Sequence, residues 1–264
     1  MHGNLGAAKA GRGARRRPDC YRNRQVQVRK ASHYVARFMC GLQTVAVGSE
    51  HRAVTSSQPA HIWLARHGQT QTNREGRFCG HSETSLTDLG KEQAARLGER
   101  LRPLALKAVY TSDYSRAIET AAIAVAGRNL TAHVDPDLRE LHYGEWELQL
   151  DRDIRTRYPE QHELMRNEDP TWHPPGGETL GMVRMRTAAA LERIAAAHAG
   201  EHVLIVSHGT AIACMLAEVF AMAPTHTLRI EVANCSLSGV TAMGGRFGLT
   251  LFNETQHLTT PAAK

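Results

Sequence analysis

The 264-residue chain is predicted to fold as a three-layer α/β/α sandwich, its sheet mostly parallel with an antiparallel C-terminal edge. Three observations predict this. From residue 60 onward, short strand-like runs alternate with helical patterns without long gaps, as in doubly wound sheets. His202-Val203-Leu204-Ile205-Val206 is continuously apolar, as suits a strand covered on both faces. The C-terminal third alternates instead, which suits strands added antiparallel at one edge.

Taken in order, 62–65 is the first strand and ends in Arg66-His67-Gly68, followed by a polar turn to Asn73. Thr87 caps a helix over 88–101, with Leu89, Ala94, Leu97 and Leu101 on or near one face; Pro103 closes it. A short strand over 108–112 precedes a helix over 116–126, opened by Ser115 and stopped by Gly127. A third strand-like segment begins at His133 and ends near Leu138. Between Gly144 and Gly177 the pattern weakens to two short helices, 150–158 and 160–166, then a Pro/Gly cluster, read as a cap over the sheet edge. A long alanine-rich helix covers 179–199, the buried strand follows, and a further helix covers 210–220. The segments 228–232, 237–242 and 248–252 read as strands.

The net charge of +6 is unevenly placed. Residues 1–58 hold eleven Lys/Arg and two acids, Asp19 and Glu50, which leaves 21 Lys/Arg against 24 Asp/Glu over 59–264. The body is therefore mildly acidic. Residues 1–58 have too little apolar surface to offset the entropy of ordering and read as a disordered basic extension. A start assigned too far upstream accounts for them, with Met39 as one alternative start. A functional basic arm, an organellar transit peptide and a nucleic-acid-binding arm are the competing readings. No aromatic interleaving accompanies the charge, so no specific nucleic acid is expected. Arg37 interrupts the only moderately apolar stretch there, against a secretory signal, and no run reaches membrane-spanning length, so no membrane is expected. Five widely spaced cysteines, without a zinc pattern, fit reduced thiols in a cytoplasmic protein. Cys214, in an apolar helix, reads as a small buried hydrophobe. A single folded domain is expected over 59–255, with a tail over 256–264.

Two strands end alike, in Arg66-His67-Gly68 and Ser207-His208-Gly209. Parallel strands bring their C-terminal ends to one edge, so both histidines can converge. Glycine after each permits a sharp turn and brings N–H groups toward a bound anion. Two imidazoles beside an arginine suit a tetrahedral dianion. Arg116, in the first turn of a helix that follows a strand end, reaches the same edge. Glu140, beside Leu141 and Trp146, sits among apolar residues that would favour its protonated form and suit a proton donor. His81, His142 and His173 fall where they could line the mouth of such a site. Glu178 either supports it from outside or caps the long helix. His51, His61, His133, His198, His226 and His257 belong to no motif and read as surface or structural.

These elements together resemble the histidine phosphatase superfamily, the phosphoglycerate-mutase-like fold. Residues 66–73 match Arg-His-Gly-x-Thr-x-x-Asn, 112–121 match Ser-x-x-x-Arg-Ala-x-x-Thr-Ala, 140–147 match Glu-x-x-x-Gly-x-Trp-Glu, and 207–209 match Ser-His-Gly. The resemblance implies that His67 is the nucleophile and is transiently phosphorylated. It implies that Arg66, Arg116 and His208 form the phosphate pocket, supported by Asn73, and that Glu140 protonates the leaving alcohol. It implies no metal and no cofactor, the arginines and histidine supplying the positive charge. Two departures stand out: the usual aspartate and proline of the loop after the first motif are Glu83 and Ser85, and the familiar Trp-Glu-Gly is Trp146-Glu147-Leu148.

The interval from Glu140 to His208 is shorter than in the family's cofactor-dependent mutases. It resembles the phosphatase branch, which includes α-ribazole and broad-specificity phosphatases, and Asn234-Cys235-Ser236 points the same way. The expected activity is hydrolysis of a small phosphorylated metabolite, with a homodimer as an oligomeric state to test. A phosphoglycerate mutase is the alternative, and a non-catalytic binding protein using its basic arm is another from a different class.

Overall fold

The computed structural model describes residues 58–259 apart from 168 and 170. The basic extension expected over 1–58 therefore lies, but for Gln58, outside the described residues, and so do residues 260–264. Strand β1 (Ala60–Arg66) leads to helices α1 (Gln71–Glu75) and α2 (Asp88–Leu101). Next come β2 (Leu106–Thr111), α3 (Ser115–Ala124) and β3 (Ala132–Val134). Two short helices, α4 (Asp151–Arg157) and α5 (Pro159–Arg166), precede the long α6 (Leu180–Ala197). Strand β4 (His202–Ser207) and helix α7 (Gly209–Val219) follow. The hairpin β5 (Leu237–Met243) and β6 (Arg246–Glu254) and the short α8 (Gln256–Thr259) end the described chain.

The six strands form one sheet in the order β3-β2-β4-β1-β5-β6. The first four are parallel, and β5 and β6 join antiparallel. The predicted mixed sheet is thus the observed one. On one face Ile62, Leu64, Val203 and Ile205 pack with Leu191 and Ile194 of α6 and Ile212 and Met215 of α7. On the other, Ala65, Val109, Leu204 and Val206 pack with Leu97 and Leu101 of α2 and Ala117 and Ala121 of α3. Alternate residues of β4 enter opposite clusters, which is why its sequence is apolar throughout. A third cluster, built on Leu141, Trp146, Ile154, Trp172 and Val183, underlies α4 and α5. No described helix is long and apolar enough to cross a membrane.

Four expectations need correction. Residues 228–232 join no strand ladder: a 3₁₀ segment, Pro224–Arg229, is followed by irregular backbone. Their alternation is still real, since Val232 is buried while Arg229 and Glu231 are exposed, but it records packing on α7 and the sheet rather than strand pairing. The third strand stops at Val134, because Asp135 caps a 3₁₀ turn with Pro136 at its first position. Leu89 is 48% exposed and does not join the core face of α2. The polar turn after β1 contains helix α1, nucleated by a capping box between Thr70 and Asn73. Ordered packing also continues past residue 255, since Leu258 of α8 packs against the α2 side of the sheet.

Candidate active site

The register of the sheet creates the site. Arg66 lies opposite Ser207 and Thr111 opposite Val206. The ladders continue one step beyond the strands, with His67 N–H donating to the Ser207 carbonyl and Ser112 N–H to the Val206 carbonyl. His67, His208 and Ser112 therefore arrive side by side at one sheet edge. The two imidazoles meet edge to face, with centroids 5.1 Å apart. Both are buried, at 4% and 0% exposure.

His67 is fixed through its own backbone. Its Nδ1 donates to the Gly68 carbonyl at 2.7 Å, so the neutral ring presents its lone pair at Nε2. Burial first, then the guanidinium groups of Arg66 and Arg116, hold this imidazole well below the usual histidine range. The glycine after it serves a different need from the one expected. A Cβ at Gly68 would stand 2.4 Å from the Gly90 carbonyl oxygen, so the position demands close backbone approach. Its N–H donates to Thr120 Oγ1 at 3.0 Å rather than being held open for an anion.

Arg116, 1% exposed, reaches the same edge from the first turn of α3. Its Nε donates to His208 Nδ1 at 3.2 Å, and its two terminal nitrogens donate to the carbonyls of Ser82 at 2.9 Å and Gly80 at 2.6 Å. With its Nδ1 accepting, neutral His208 carries its proton on Nε2, 2.8 Å from Ser112 Oγ. His208 thus orients Arg116 while walling the pocket. Burial and then Arg116 hold His208 well below the usual range too. Arg66 is anchored by Nη1 to the Val232 carbonyl at 2.6 Å, but its buried Nε has no partner. An orphan guanidinium N–H beside a second arginine and two neutral histidines is what an anion would complete.

Glu140 is 7% exposed. Its Oε1 accepts from the N–H groups of Leu141 at 2.8 Å and Ala211 at 3.2 Å, and its Oε2 from Thr210 N–H at 3.0 Å. The carboxyl thus rests on the N-terminus of α7, not against the apolar wall the sequence suggested. Its Oε2 and the Arg66 guanidinium carbon both lie within 3.7 Å of where a Gly209 side chain would begin, so the two groups face the same point beside the start of α7. Asn73 lines the neighbouring cleft and fastens its turn: Oδ1 accepts from Thr70 N–H at 3.2 Å and from Asn234 Nδ2 at 3.1 Å.

The partners of several supporting residues were not visible in the sequence. Glu147 accepts from the backbone N–H groups of Gly80, His81, Ser82 and Tyr143 at 2.8–3.2 Å. It thereby shapes the loop whose carbonyls hold Arg116. Glu178 does not cap α6, since Thr179 does. It pairs instead with Arg186 at 2.8 Å and accepts from His142 N–H at 3.0 Å. Arg186 in turn binds the carbonyls of Asp137, Arg139 and Glu140, fixing the segment that delivers the carboxyl. Asn234 Nδ2 also donates to the His67 carbonyl at 3.0 Å. Of the three histidines expected at the mouth, the rings of His81 and His142 meet at a tilt with centroids 4.5 Å apart and His81 Nε2 donates to the Glu140 carbonyl at 3.0 Å, while His173 bonds its neighbour's carbonyl, that of Pro174. Cys214 is a buried thiol pushed up to about 12 by burial, as its apolar context suggested.

Two clefts open beside Arg66, Glu140 and Tyr143. The larger, about 470 Å³, is walled by Thr210, Leu228, Ile230 and Val232, with Glu231 and Asn253 at its edge. The smaller, about 200 Å³, is bordered by Asn73, Arg77, Phe78 and Asp151.

Comparison with known proteins agrees with this geometry. Residues 62–255 match the family model described as the histidine phosphatase superfamily (branch 1). A probable phosphoglycerate mutase, GpmB, from Yersinia enterocolitica is 32% identical over 209 residues, which is 76% of this chain and 96% of that protein. The solved structure of Bacillus stearothermophilus YhfR superposes with a TM-score of 0.73 at 32% identity, over 75% of this chain and 99% of that one. A putative alpha-ribazole-5'-P phosphatase from Escherichia coli gives a TM-score of 0.68 at 28% identity, over 74% and 96%.

Proposed function

The chain belongs to the histidine phosphatase superfamily, and from that premise we propose that it is a phosphomonoesterase that hydrolyses a small phosphorylated metabolite through a phosphohistidine on His67. The observation that carries this reading is the His67 Nδ1 bond to the Gly68 carbonyl, which leaves Nε2 as a neutral nucleophile inside a pocket of arginines. Nε2 attacks phosphorus and the P–O bond to the leaving alcohol breaks. Arg66 and Arg116 hold the equatorial oxygens, and His208 completes the pocket and steadies Arg116. The leaving oxygen takes its proton from Glu140. Oε2 is the better placed donor, since it accepts one amide while Oε1 accepts two. Water then attacks the phosphohistidine, gives its proton to Glu140, and releases phosphate and free His67.

The GpmB relative favours a second reading, a mutase that returns the phosphoryl group to another hydroxyl of a phosphoglycerate. That substrate carries a carboxylate as well as phosphate and needs cations beyond the phosphate pocket. Besides Arg66, Arg77 is the only cation among the described residues lining the two clefts, and it is engaged with Glu75 and the Leu148 carbonyl, while Glu231 and Asp151 line them as well. This charge balance supports the phosphatase. The test is a panel of phosphorylated metabolites, including 3-phosphoglycerate with a bisphosphoglycerate primer. Release of inorganic phosphate is expected, and formation of 2-phosphoglycerate as the main product would overturn the reading.

A further inference from the structure

We propose that His257, which belongs to no sequence motif, is a positioning residue for the nucleophile, because it braces the turn that grips the backbone of Arg66 and His67. This rests on the phosphohistidine reading and adds to it a residue from the last helix of the described chain. The turn, residues 232–236, lies between the 3₁₀ segment and β5 and takes hold of the end of β1. The Val232 carbonyl accepts from Arg66 Nη1 at 2.6 Å, and Asn234 Nδ2 donates to the His67 carbonyl at 3.0 Å. The Cys235 N–H donates to the Arg66 carbonyl at 3.0 Å and is shared with the His67 carbonyl at 3.4 Å. These bonds fix the peptide groups on both sides of His67. The direction of its Nε2 follows from them, since Nδ1 is tied to the Gly68 carbonyl.

Cys235 presents that N–H from an uncommon conformation. Its φ of 52° lies in the left-handed region, although it carries a side chain. Such a residue persists only where its surroundings over-determine it. Two contacts do so here. The side chain is fully buried in the cluster on the α2 side of the sheet. At the other end of the residue, His257 Nε2 donates to the Cys235 carbonyl at 3.0 Å. The His257 side chain is 6% exposed, and its Nδ1 lies 3.3 Å from Glu254 Oε2, which also accepts from Arg100 Nε at 3.1 Å. The ring is thus held between β6 and α2 while it reaches the turn. Without this donor the Cys235 peptide can relax toward the right-handed region, and its N–H then leaves the carbonyls that frame the nucleophile.

The test uses the full chain and 4-nitrophenyl phosphate, whose leaving group needs little protonation, so kcat/KM reports attack by His67. Competitive inhibition by inorganic phosphate reports the pocket separately. His257→Phe keeps a ring but has no donor, and is expected to lower kcat/KM ~10–100-fold while phosphate inhibition changes far less. His257→Gln, whose amide nitrogen can reach the same carbonyl, should keep most of the parent rate. In a Cys235→Gly background the left-handed turn carries no strain, so His257→Phe should cost much less there. His257→Leu serves where the Phe variant does not fold, and unfolding of both would assign His257 to the fold alone. A folded His257→Phe chain with the parent's rate, an equal loss of rate and phosphate binding, a Gln variant as slow as the Phe one, or an equal loss in both backgrounds would each overturn the positioning role and leave the esterase reading standing. No hydrolysis of 4-nitrophenyl phosphate by the parent chain would overturn the esterase reading and this inference with it.

Discussion

The Nδ1 of His67 donates to the Gly68 carbonyl oxygen across 2.7 Å, and this bond commits the ring's free lone pair to Nε2. The nucleophile is thus chosen by local backbone geometry. His67→Ala should abolish turnover and, in acid-quench labelling, the incorporation of acid-labile phosphate. Substantial residual hydrolysis by this variant in the presence of a chelator would remove His67 from the nucleophile role.

The same burial sets a pH dependence of stability. His67 and His208 are held well below 6.5 in the folded protein, by burial and then by neighbouring guanidinium groups. As pH falls through 6.5 the unfolded chain takes up protons at both positions and the folded chain does not. Stability is therefore lost on the acid side of that window, by up to ~1.4 kcal/mol per pH unit for each histidine, and is level above it. His81 and His202 shift the same way, whereas Glu147 and Glu178, lowered from 4.5, act only at lower pH. Denaturant midpoints between pH 8 and 5 should fall below pH 6.5, and His208→Gln should flatten the decline. A parent chain equally stable at pH 7 and pH 5 would contradict this.

Glu140→Gln tests the proton donor. The amide side chain can occupy the same volume but has no acidic proton to give, so loss should scale with the basicity of the leaving alcohol. We expect a fall of ~10²–10⁴ in kcat for alkyl phosphates and a much smaller one for 4-nitrophenyl phosphate. Equal losses on both would assign Glu140 a different role.

Leu148 gives a stability prediction from a departure in sequence. It stands where the family pattern has glycine, and its φ of 61° lies in the left-handed region. The fold keeps the backbone that glycine allows and bears the strain of a Cβ, about 1–2 kcal/mol. The residue is 43% exposed, so little packing is at stake. Leu148→Gly should raise stability by up to ~1 kcal/mol once the entropy of an unfolded glycine is subtracted. Chemical denaturation reads this directly, and a clear loss of stability would mean that the side chain packs more than its exposure indicates.

What the sequence made legible was periodic or chemically distinctive. The apolar run of β4, the capping threonine at 87, and two His-Gly strand ends announced the layers and the edge where chemistry gathers. Less legible were features that depend on partners far along the chain. The alternation of 228–232 could not say whether a ladder partner existed, since burial on one side gives the same pattern with or without strand pairing. Glu140 looked like a carboxyl against apolar walls, because its true partners are the amides of residues 210 and 211 at the start of α7. Backbone N–H groups leave no mark in a sequence.

Glu147 is the clearest case of that silence, and the strongest test of how the pocket is held. Its carboxylate gathers the N–H groups of residues 80–82 and of Tyr143, and the carbonyls of Gly80 and Ser82 then grip Arg116. Burial opposes its charge, but the bonds from His81, Ser82, Tyr143 and Gly80 outweigh it and hold the carboxyl below its ordinary range. In Glu147→Gln the amide nitrogen would face N–H groups that need an acceptor, so the loop must shift and Arg116 with it. Each charged hydrogen bond of this kind contributes ~1.5–3 kcal/mol. We expect a modest drop in melting temperature and, at temperatures well below it, a ~10–100-fold loss in kcat/KM with a parallel loss of affinity for vanadate, a phosphate analogue. Glu147→Asp, keeping the charge on a shorter stem, should recover part of both. A variant that melts earlier yet binds vanadate and turns over normally when folded would show that Glu147 supports the fold alone, and that Arg116 is held without it.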